Sequence, residues 1–285
     1  MNDTVRRAVL VVPAGDERKM AKAAGCGADE VVFDLEDAVA TERKTSAREA
    51  LSRFVRTWDQ PAGGPALSVR INPIGTQWGA ADLDVALAAP AVSSVVVPKV
   101  ESAADIELVG RRIDRSGRAG CGIQALIESA AGLAALHQIA RCSSRLRSLI
   151  IGYADLAASL ERPLDAPGEV WSGVQDRVLL AARVAGIDVI DGPVLSVADD
   201  DALRAAAVRA RQMGLDGKWV IHPAQIATVT AVFTPADAEV RRARAIVDAL
   251  DAGVHGGAGA IAHDGVMIDE AVARSARRVL ARAAI

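Results

Sequence analysis

Aromatic side chains are scarce in this chain: 4 Trp, 1 Tyr and 3 Phe among 285 residues. Proteins that grip single-stranded nucleic acid stack its bases on aromatic rings inside a basic groove. Here rings are few and a basic excess is missing, because 33 Lys and Arg stand against 36 Asp and Glu, a formal charge of −3. No nucleic-acid partner is expected. Cysteine is equally sparse. Cys26, Cys121 and Cys142 are an odd, widely spaced set without a CxxC, which fits neither a disulfide framework nor a zinc site. They suit packing as small hydrophobes in a reducing compartment, so a cytoplasmic location is expected. Long apolar runs are also missing: nothing approaches the roughly 18 consecutive apolar residues of a membrane helix. The run Ala8-Val9-Leu10-Val11-Val12, closed by Pro13, is too short for a signal-peptide core and reads as a first strand.

What the chain does have is small and branched aliphatics, in a total hydrophobic share of 51 % that can fill a large core. Short β-branched runs recur at 8–12, 30–34, 66–71, 94–97, 122–128, 148–151, 187–190 and 218–221. Between them lie Ala-, Arg- and Glu-rich stretches with helical spacing, at 44–56, 103–112, 130–140, 174–185 and 200–213. Strands alternating with helices imply a parallel sheet, and eight strands are the number that closes a barrel. A doubly wound open sheet competes, but its G-x-G-x-x-G phosphate fingerprint is absent after the first strand. The expected fold is therefore α/β, a (β/α)8 TIM barrel over 1–235 with a C-terminal helical extension over 236–285. In that extension, helical stretches at 236–251 and 269–284 flank a glycine-rich link at 253–259, read as flexible. A long loop is expected at 157–172, after the sixth strand.

In such a barrel, catalytic groups sit at the C-terminal ends of strands. The sequence puts Glu36, Asp37, Arg70, Lys99, Glu128, Asp155 and His222 there. Each has a structural reading as well. An Asp or Ser after a strand often caps the next helix, which applies to Asp37 and Asp155. Arg70 could serve as an ion-pair partner for the same carboxylates, and His222 before Pro223 reads best as structural. As a group they say more. Several carboxylates on one rim repel and raise each other's pKa. A hard divalent cation relieves that repulsion, and Mg²⁺ takes one or two carboxylates together with waters and substrate oxygens.

These residues carry a resemblance. Asp34-Leu35-Glu36-Asp37-Ala38-Val39, Arg70-Ile71-Asn72, Pro98-Lys99, Ile127-Glu128-Ser129, Gly152-x-x-Asp155-Leu156, Gly217-Lys218-x-x-Ile221-His222-Pro223-x-Gln225 and Gly265-Val266-Met267-Ile268-Asp269 occur in that order along the chain. The set resembles the HpcH/HpaI aldolase and citrate lyase superfamily, in its citrate lyase β-subunit-like branch, and is similar to malyl-CoA and citramalyl-CoA lyases. Three places depart from the usual pattern: Arg7-Ala8, Pro13-Ala14-Gly15 and Glu270-Ala271. The resemblance implies a cytoplasmic carbon–carbon lyase that uses Mg²⁺, or Mn²⁺ in its place, and takes coenzyme A as part of its substrate. The reaction it implies cleaves a 3-hydroxyacyl-CoA thioester to an acyl-CoA and a 2-oxo acid.

Carried over residue by residue, the resemblance makes Glu128 and Asp155 the direct metal ligands, with Glu128 also beside the substrate. Glu36 and Asp37 would hold metal-bound waters, and Arg70 would bind the thioester carbonyl or oxo-acid oxygens. Asp269 would act as acid/base in a neighbouring subunit's site, within a homotrimer or a multiple of one. Three rival readings share these residues. A Schiff-base aldolase would use Lys99 as nucleophile, which requires a lowered lysine pKa. A metal-dependent acyl-CoA thioesterase or a malate-synthase-like condensing enzyme would use the same metal ligands. A non-catalytic acyl-CoA-binding subunit would use the pocket alone.

Overall fold

The computed structural model describes residues 5–58, 63–255, 259–263 and 265–283. Eight parallel strands pair in chain order and close on themselves: β1 (Ala8–Pro13), β2 (Glu30–Asp34), β3 (Ala66–Arg70), β4 (Val92–Val97), β5 (Gly122–Ile127), β6 (Leu146–Ile151), β7 (Asp188–Asp191) and β8 (Gly217–Val220). The barrel is sealed where β1 meets β8, with Ala8 opposite Lys218. Helices α1 (Glu17–Ala23), α2 (Lys44–Arg56), α3 (Gly79–Ala88), α4 (Ala103–Arg115), α5 (Ala130–Ala134), α6 (Leu136–Arg141), α7 (Tyr153–Ser159), α8 (Ser172–Ala185), α9 (Asp201–Gln212) and α10 (Ile226–Phe233) lie between and after the strands. This is the TIM barrel that the strand count implies. The helical spacing does not announce α1, α3 or α10. The expected 157–172 loop is shorter than its sequence suggests, because α7 claims its first three residues and a 3-10 turn its last stretch, Gly168–Trp171.

Side chains alternate across a strand, so every second residue enters the barrel interior. One layer is polar. Glu30, Ser68, Ser94, Gln124 and Ser148, one from each of β2 to β6, are buried and linked: Gln124 Nε2 donates to Ser94 Oγ at 2.7 Å, and Ser148 Oγ to Gln124 Oε1 at 3.0 Å. Ser68 Oγ and Gln124 Nε2 also donate to Glu30 Oε1, while Arg6 pairs with Glu30 Oε2 at 2.6 Å. A buried charge is tolerated only when paired and hydrogen-bonded, and Glu30 is both. Two residues further along come Val32, Val96, Leu126 and Ile150, joined by Val9, Ile190 and Trp219 in an apolar layer. Two residues beyond that stand Asp34, Glu128 and Gly152, with Arg70 beside Asp34. The period of two thus delivers charged groups to the C-terminal mouth above a dry plug.

Residues 231–285 form a second compact unit. In it α11 (Asp237–His255) packs on α12 (Glu270–Ala283), and an antiparallel hairpin of β9 (Ala260–His263) and β10 (Val266–Asp269) lies against α11. Leu250, Ile268 and Ala273 form its buried centre. The expected helical extension therefore contains a hairpin. Gly253 is a residue of α11 and not of a flexible link. A Cβ there would meet the Ile261 side chain at 2.4 Å, so this glycine lets the hairpin approach the helix. Residues 256–258 of the expected link lie outside the described residues. No described helix is long and apolar enough to cross a membrane, and all three cysteines are free thiols.

Candidate active site

The site begins at the end of β2. Both oxygens of the buried Asp34 accept from the turn that follows, Oδ1 from Glu36 N at 2.8 Å and Oδ2 from Ala38 N at 3.0 Å. The same oxygens receive the Arg70 guanidinium, Nε at 2.7 Å and Nη2 at 2.5 Å. This is the two-bond fork that a guanidinium makes and an ammonium cannot. Asp34 thereby fixes a turn and a cation together. Its position was legible, since it follows Val32 by two in β2, yet the sequence reading gave it no role. The other edge of Arg70 faces Glu36, Nη1 lying 3.0 Å from Oε2, and its Cζ lies over the Trp219 ring, 5.5 Å from the ring centroid. Burial opposes the guanidinium's charge, but Asp34 and Glu36 outweigh it and hold the proton more tightly than usual.

Glu128, just past β5, turns into the mouth and is buried. Gly152, just past β6, leaves room for it: a Cβ on Gly152 would sit 2.6 Å from Glu128 Oε2. The backbone N–H of Lys99 donates to Glu128 Oε1 at 2.7 Å. Burial, then the charge of Glu36, pushes the Glu128 carboxyl up to about 8. Burial also raises Glu36. Lys99 sends its ammonium among the acids, 2.8 Å from Glu36 Oε1, 3.1 Å from Asp155 Oδ2, 3.8 Å from Asp37 Oδ2 and 3.9 Å from Glu128 Oε1. Partial burial works against that charge, but the Glu36 hydrogen bond and the surrounding carboxylates win, and the lysine pKa is raised. A lysine held protonated is a poor nucleophile, so the Schiff-base reading loses its chemical basis.

Glu36, Arg70, Glu128 and Asp155 thus come together, with the exposed Asp37 at the rim. Arg70, Glu128, Asp155 and Asp37 line a cavity of about 850 Å³. Asp155 is not the N-cap of α7. That position is Gly152, and the Asp155 carboxylate reaches Lys99 instead. Capping does hold for Ser129, which accepts from Gly132 N at 3.1 Å. His222 has the structural part expected of it, its Nδ1 accepting from Ala224 N at 3.2 Å. Asp269 belongs to the second unit, where it ends β10 and caps α12 by accepting from Val272 N at 3.0 Å.

The opposite wall of the cavity carries groups that the sequence pattern does not single out. Lys218, in β8, pairs with Asp191 at 2.5 Å and donates to Gly192 O at 2.6 Å. Tyr153 Oη donates to Asp191 Oδ1 at 2.5 Å, and Gln175 Nε2 donates to that phenol oxygen at 2.8 Å. This network ties the first turn of α7, and with it Asp155, to β7 and β8. Gln225 fastens the loop that follows β7: its Oε1 accepts from Ile221 N at 3.0 Å and its Nε2 donates to Ser196 O at 2.8 Å.

The donor set suits a hard divalent ion. Its oxygens are carboxylates, a cation already sits among them as the Lys99 ammonium, and Glu36 Oε2, ion-paired with Arg70 Nη1, is buried without a hydrogen bond. Among the described residues no three His, Cys, Asp or Glu side chains form a ready cage. Mg²⁺ keeps several waters and can be held by only one or two protein carboxylates. Glu128 and Asp155 would hold it, with Glu36 and Asp37 placed to accept from its waters.

Comparison with known proteins places the chain in a family. Residues 7–223 match the model of the HpcH/HpaI aldolase/citrate lyase family. The chain is 36 % identical to a (3S)-malyl-CoA thioesterase of Cereibacter sphaeroides (strain KD131 / KCTC 12085), over 97 % of this chain and 94 % of that protein. It is 32 % identical to the L-malyl-CoA/beta-methylmalyl-CoA lyase of Rhodobacter capsulatus, over 98 % and 95 %. The crystal structure of CitE from Mycobacterium tuberculosis, in complex with magnesium, acetoacetate and coenzyme A, superposes with a TM-score of 0.82 at 31 % identity and covers 100 % of both chains.

Proposed function

The chain belongs to the HpcH/HpaI aldolase/citrate lyase family, and from that premise we propose that it is a Mg²⁺-dependent carbon–carbon lyase acting on a short 3-hydroxyacyl-CoA thioester of the malyl-CoA kind. The observation that carries this reading is the ring of Glu36, Glu128 and Asp155 beside a guanidinium locked by Asp34, all at one barrel mouth. Similarity to malyl-CoA and β-methylmalyl-CoA lyase and to a CoA-bound, magnesium-bound structure supports the substrate class and the metal.

Cleavage requires that the 3-hydroxyl lose its proton and the adjacent C–C bond break. One product is the carbonyl of a 2-oxo acid, and the other is a thioester enolate that takes a proton on carbon. A bound Mg²⁺ supplies Lewis acidity and a template for the oxo-acid oxygens. Arg70 is the proposed partner of the enolate oxygen. It is charged at any working pH, and Asp34 and Trp219 hold its plane in advance, so charge developing on that oxygen meets a donor that need not reorganise. Glu36, buried against Arg70 and Lys99, keeps the guanidinium from turning away. Asp269, entering from a neighbouring subunit, is the proposed acid/base: it takes up the proton that the 3-hydroxyl gives up and delivers a proton to the enolate carbon. Beside it on β10, Val266 and Met267 are exposed apolar residues that an assembly could cover. The proposed assembly is a homotrimer or a multiple of one.

A second reading has an observation of its own, since the 36 % identical relative is a malyl-CoA thioesterase. The lyase outcome breaks the C–C bond beside the hydroxyl carbon, whereas the thioesterase outcome breaks the thioester C–S bond and consumes a water. The test is incubation with malyl-CoA, β-methylmalyl-CoA, citramalyl-CoA and citryl-CoA, with Mg²⁺ and then with a chelator, and identification of products by mass spectrometry. A lyase yields acyl-CoA and a 2-oxo acid. Free CoA with an intact hydroxy diacid from the first addition would make the chain a thioesterase. No turnover of any of the four would remove the substrate class.

A further inference from the structure

Lys99 has two unusual features that the proposed mechanism does not use. Its backbone lies in the left-handed region, φ 51°, a conformation that is strained for a non-glycine residue and persists only when its surroundings enforce it. That conformation lets the residue act twice in opposite directions. Its N–H holds Glu128 Oε1 at 2.7 Å, while its side chain doubles back so that Nζ stands between Glu36 and Asp155, within 4 Å of Asp37 and Glu128 as well. A lysine that merely paired with one surface acid would need no strained backbone. The ammonium sits where the ring's negative charge converges, next to the two carboxylates proposed as metal ligands.

We propose that Lys99 is the resident cation of this ring, holding the carboxylates together in the metal-free protein and giving up the position when Mg²⁺ enters. This rests on the reading of the ring as a Mg²⁺ site. An ion bound at about 2.1 Å to Asp155 Oδ2 comes within about 5 Å of the present Nζ by geometry alone. Two cations that close, among half-buried groups, repel strongly. The ammonium has a way out. The Lys99 side chain is 41 % exposed, unlike Glu36 at 3 % and Glu128 at 4 %, and a lysine head swings on a flexible four-carbon stem. The backbone N–H stays on Glu128 throughout, so the ligand remains aimed while the counter-ion leaves. Lys99 is thus a positioning residue through its main chain and a competitor of the metal through its side chain.

The experiment compares wild type and Lys99→Met, both freed of metal and checked by circular dichroism. Mg²⁺ is titrated by calorimetry, and Mn²⁺ by loss of its free-ion paramagnetic resonance signal. Removing the competing charge is expected to tighten both ions at least about fivefold. Unchanged or weaker binding in the variant would overturn the proposal. A second readout uses wild type alone, in case the variant does not fold. Methyl acetimidate labels accessible lysines, and mass spectrometry follows Lys99 with the exposed Lys19 as internal reference. Mg²⁺ is expected to raise labelling at Lys99; equal or lower labelling means that the ammonium stays in place. If neither protein binds Mg²⁺ or Mn²⁺, the metal reading of the ring fails first, and this inference with it.

Discussion

Arg70 separates a charge requirement from a geometry requirement. Its two bonds to Asp34 need a planar fork, and its Cζ lies over the Trp219 ring. Arg70→Lys should fold, keep a positive charge, and lose more than about tenfold in kcat/KM, worth ~1.4 kcal/mol of transition-state binding. A smaller loss in steady-state assays would make Arg70 a peripheral contact. Glu128 gives a pH signature. Its carboxyl titrates at about 8 in the folded, metal-free protein against 4.5 for the free side chain. Between those values the native state binds more protons than the unfolded chain, so stability falls as pH rises. Thermal melts in EDTA should therefore show a lower Tm at pH 8.5 than at pH 6. Mg²⁺ must displace that proton, so its affinity should rise over the same interval with proton release, and the Tm gain on adding it should be larger at pH 8.5.

The elements explain which parts of the site could be read in advance. Glu128 follows β5 directly, Glu36 lies two residues past β2 and Asp155 four past β6, and a strand rich in branched aliphatics is visible without its neighbours. Arg70 is likewise the last residue of β3. Lys99 was visible as a residue but not as a counter-ion, because its direction depends on a left-handed φ that no local pattern dictates. The Lys218, Asp191 and Tyr153 network escaped because its members are far apart in sequence and meet only when β8 closes the barrel beside β7. The hairpin of β9 and β10 did carry a signal, an Asp264-Gly265 pair between two apolar runs, which the glycines before it obscured. Gly152 tests how tightly these elements are fitted. Its φ of −95° admits alanine, so the cost of Gly152→Ala lies in the clash with Glu128, of the order of 1–3 kcal/mol for overpacking. Calorimetry should show Mg²⁺ binding weakened at least tenfold. Gly186→Ala is the control: at φ 72° in open space it should lower Tm and leave Mg²⁺ affinity alone.

At the scale of the whole molecule, the proposal joins two units of one chain through an assembly. Asp269 caps α12 through its side-chain oxygen, and asparagine caps as well as aspartate, so Asp269→Asn should preserve the fold while removing the proton source. Arg70→Ala and Asp269→Asn proteins, each inactive, should regain partial activity once mixed and allowed to exchange subunits. That recovery requires an intact Arg70 from one chain and an intact Asp269 from another. No recovery after exchange is verified by mass spectrometry would place Asp269 in its own chain's site or outside the reaction.

The central claim is that the carboxylates at the barrel mouth are a Mg²⁺ site on which the lyase reaction depends, and a metal titration of three proteins addresses it directly. Wild type, Glu128→Gln and Asp155→Asn are stripped of metal, shown to be folded, and titrated with Mg²⁺ by calorimetry while release of 2-oxo acid from malyl-CoA is followed in parallel. The account predicts one saturable Mg²⁺ site per chain in wild type, with activity tracking its occupancy, and loss of both the binding signal and the activity in each variant. Wild-type Mg²⁺ affinity in both variants, or full turnover by stripped wild type in the presence of chelator, would contradict it.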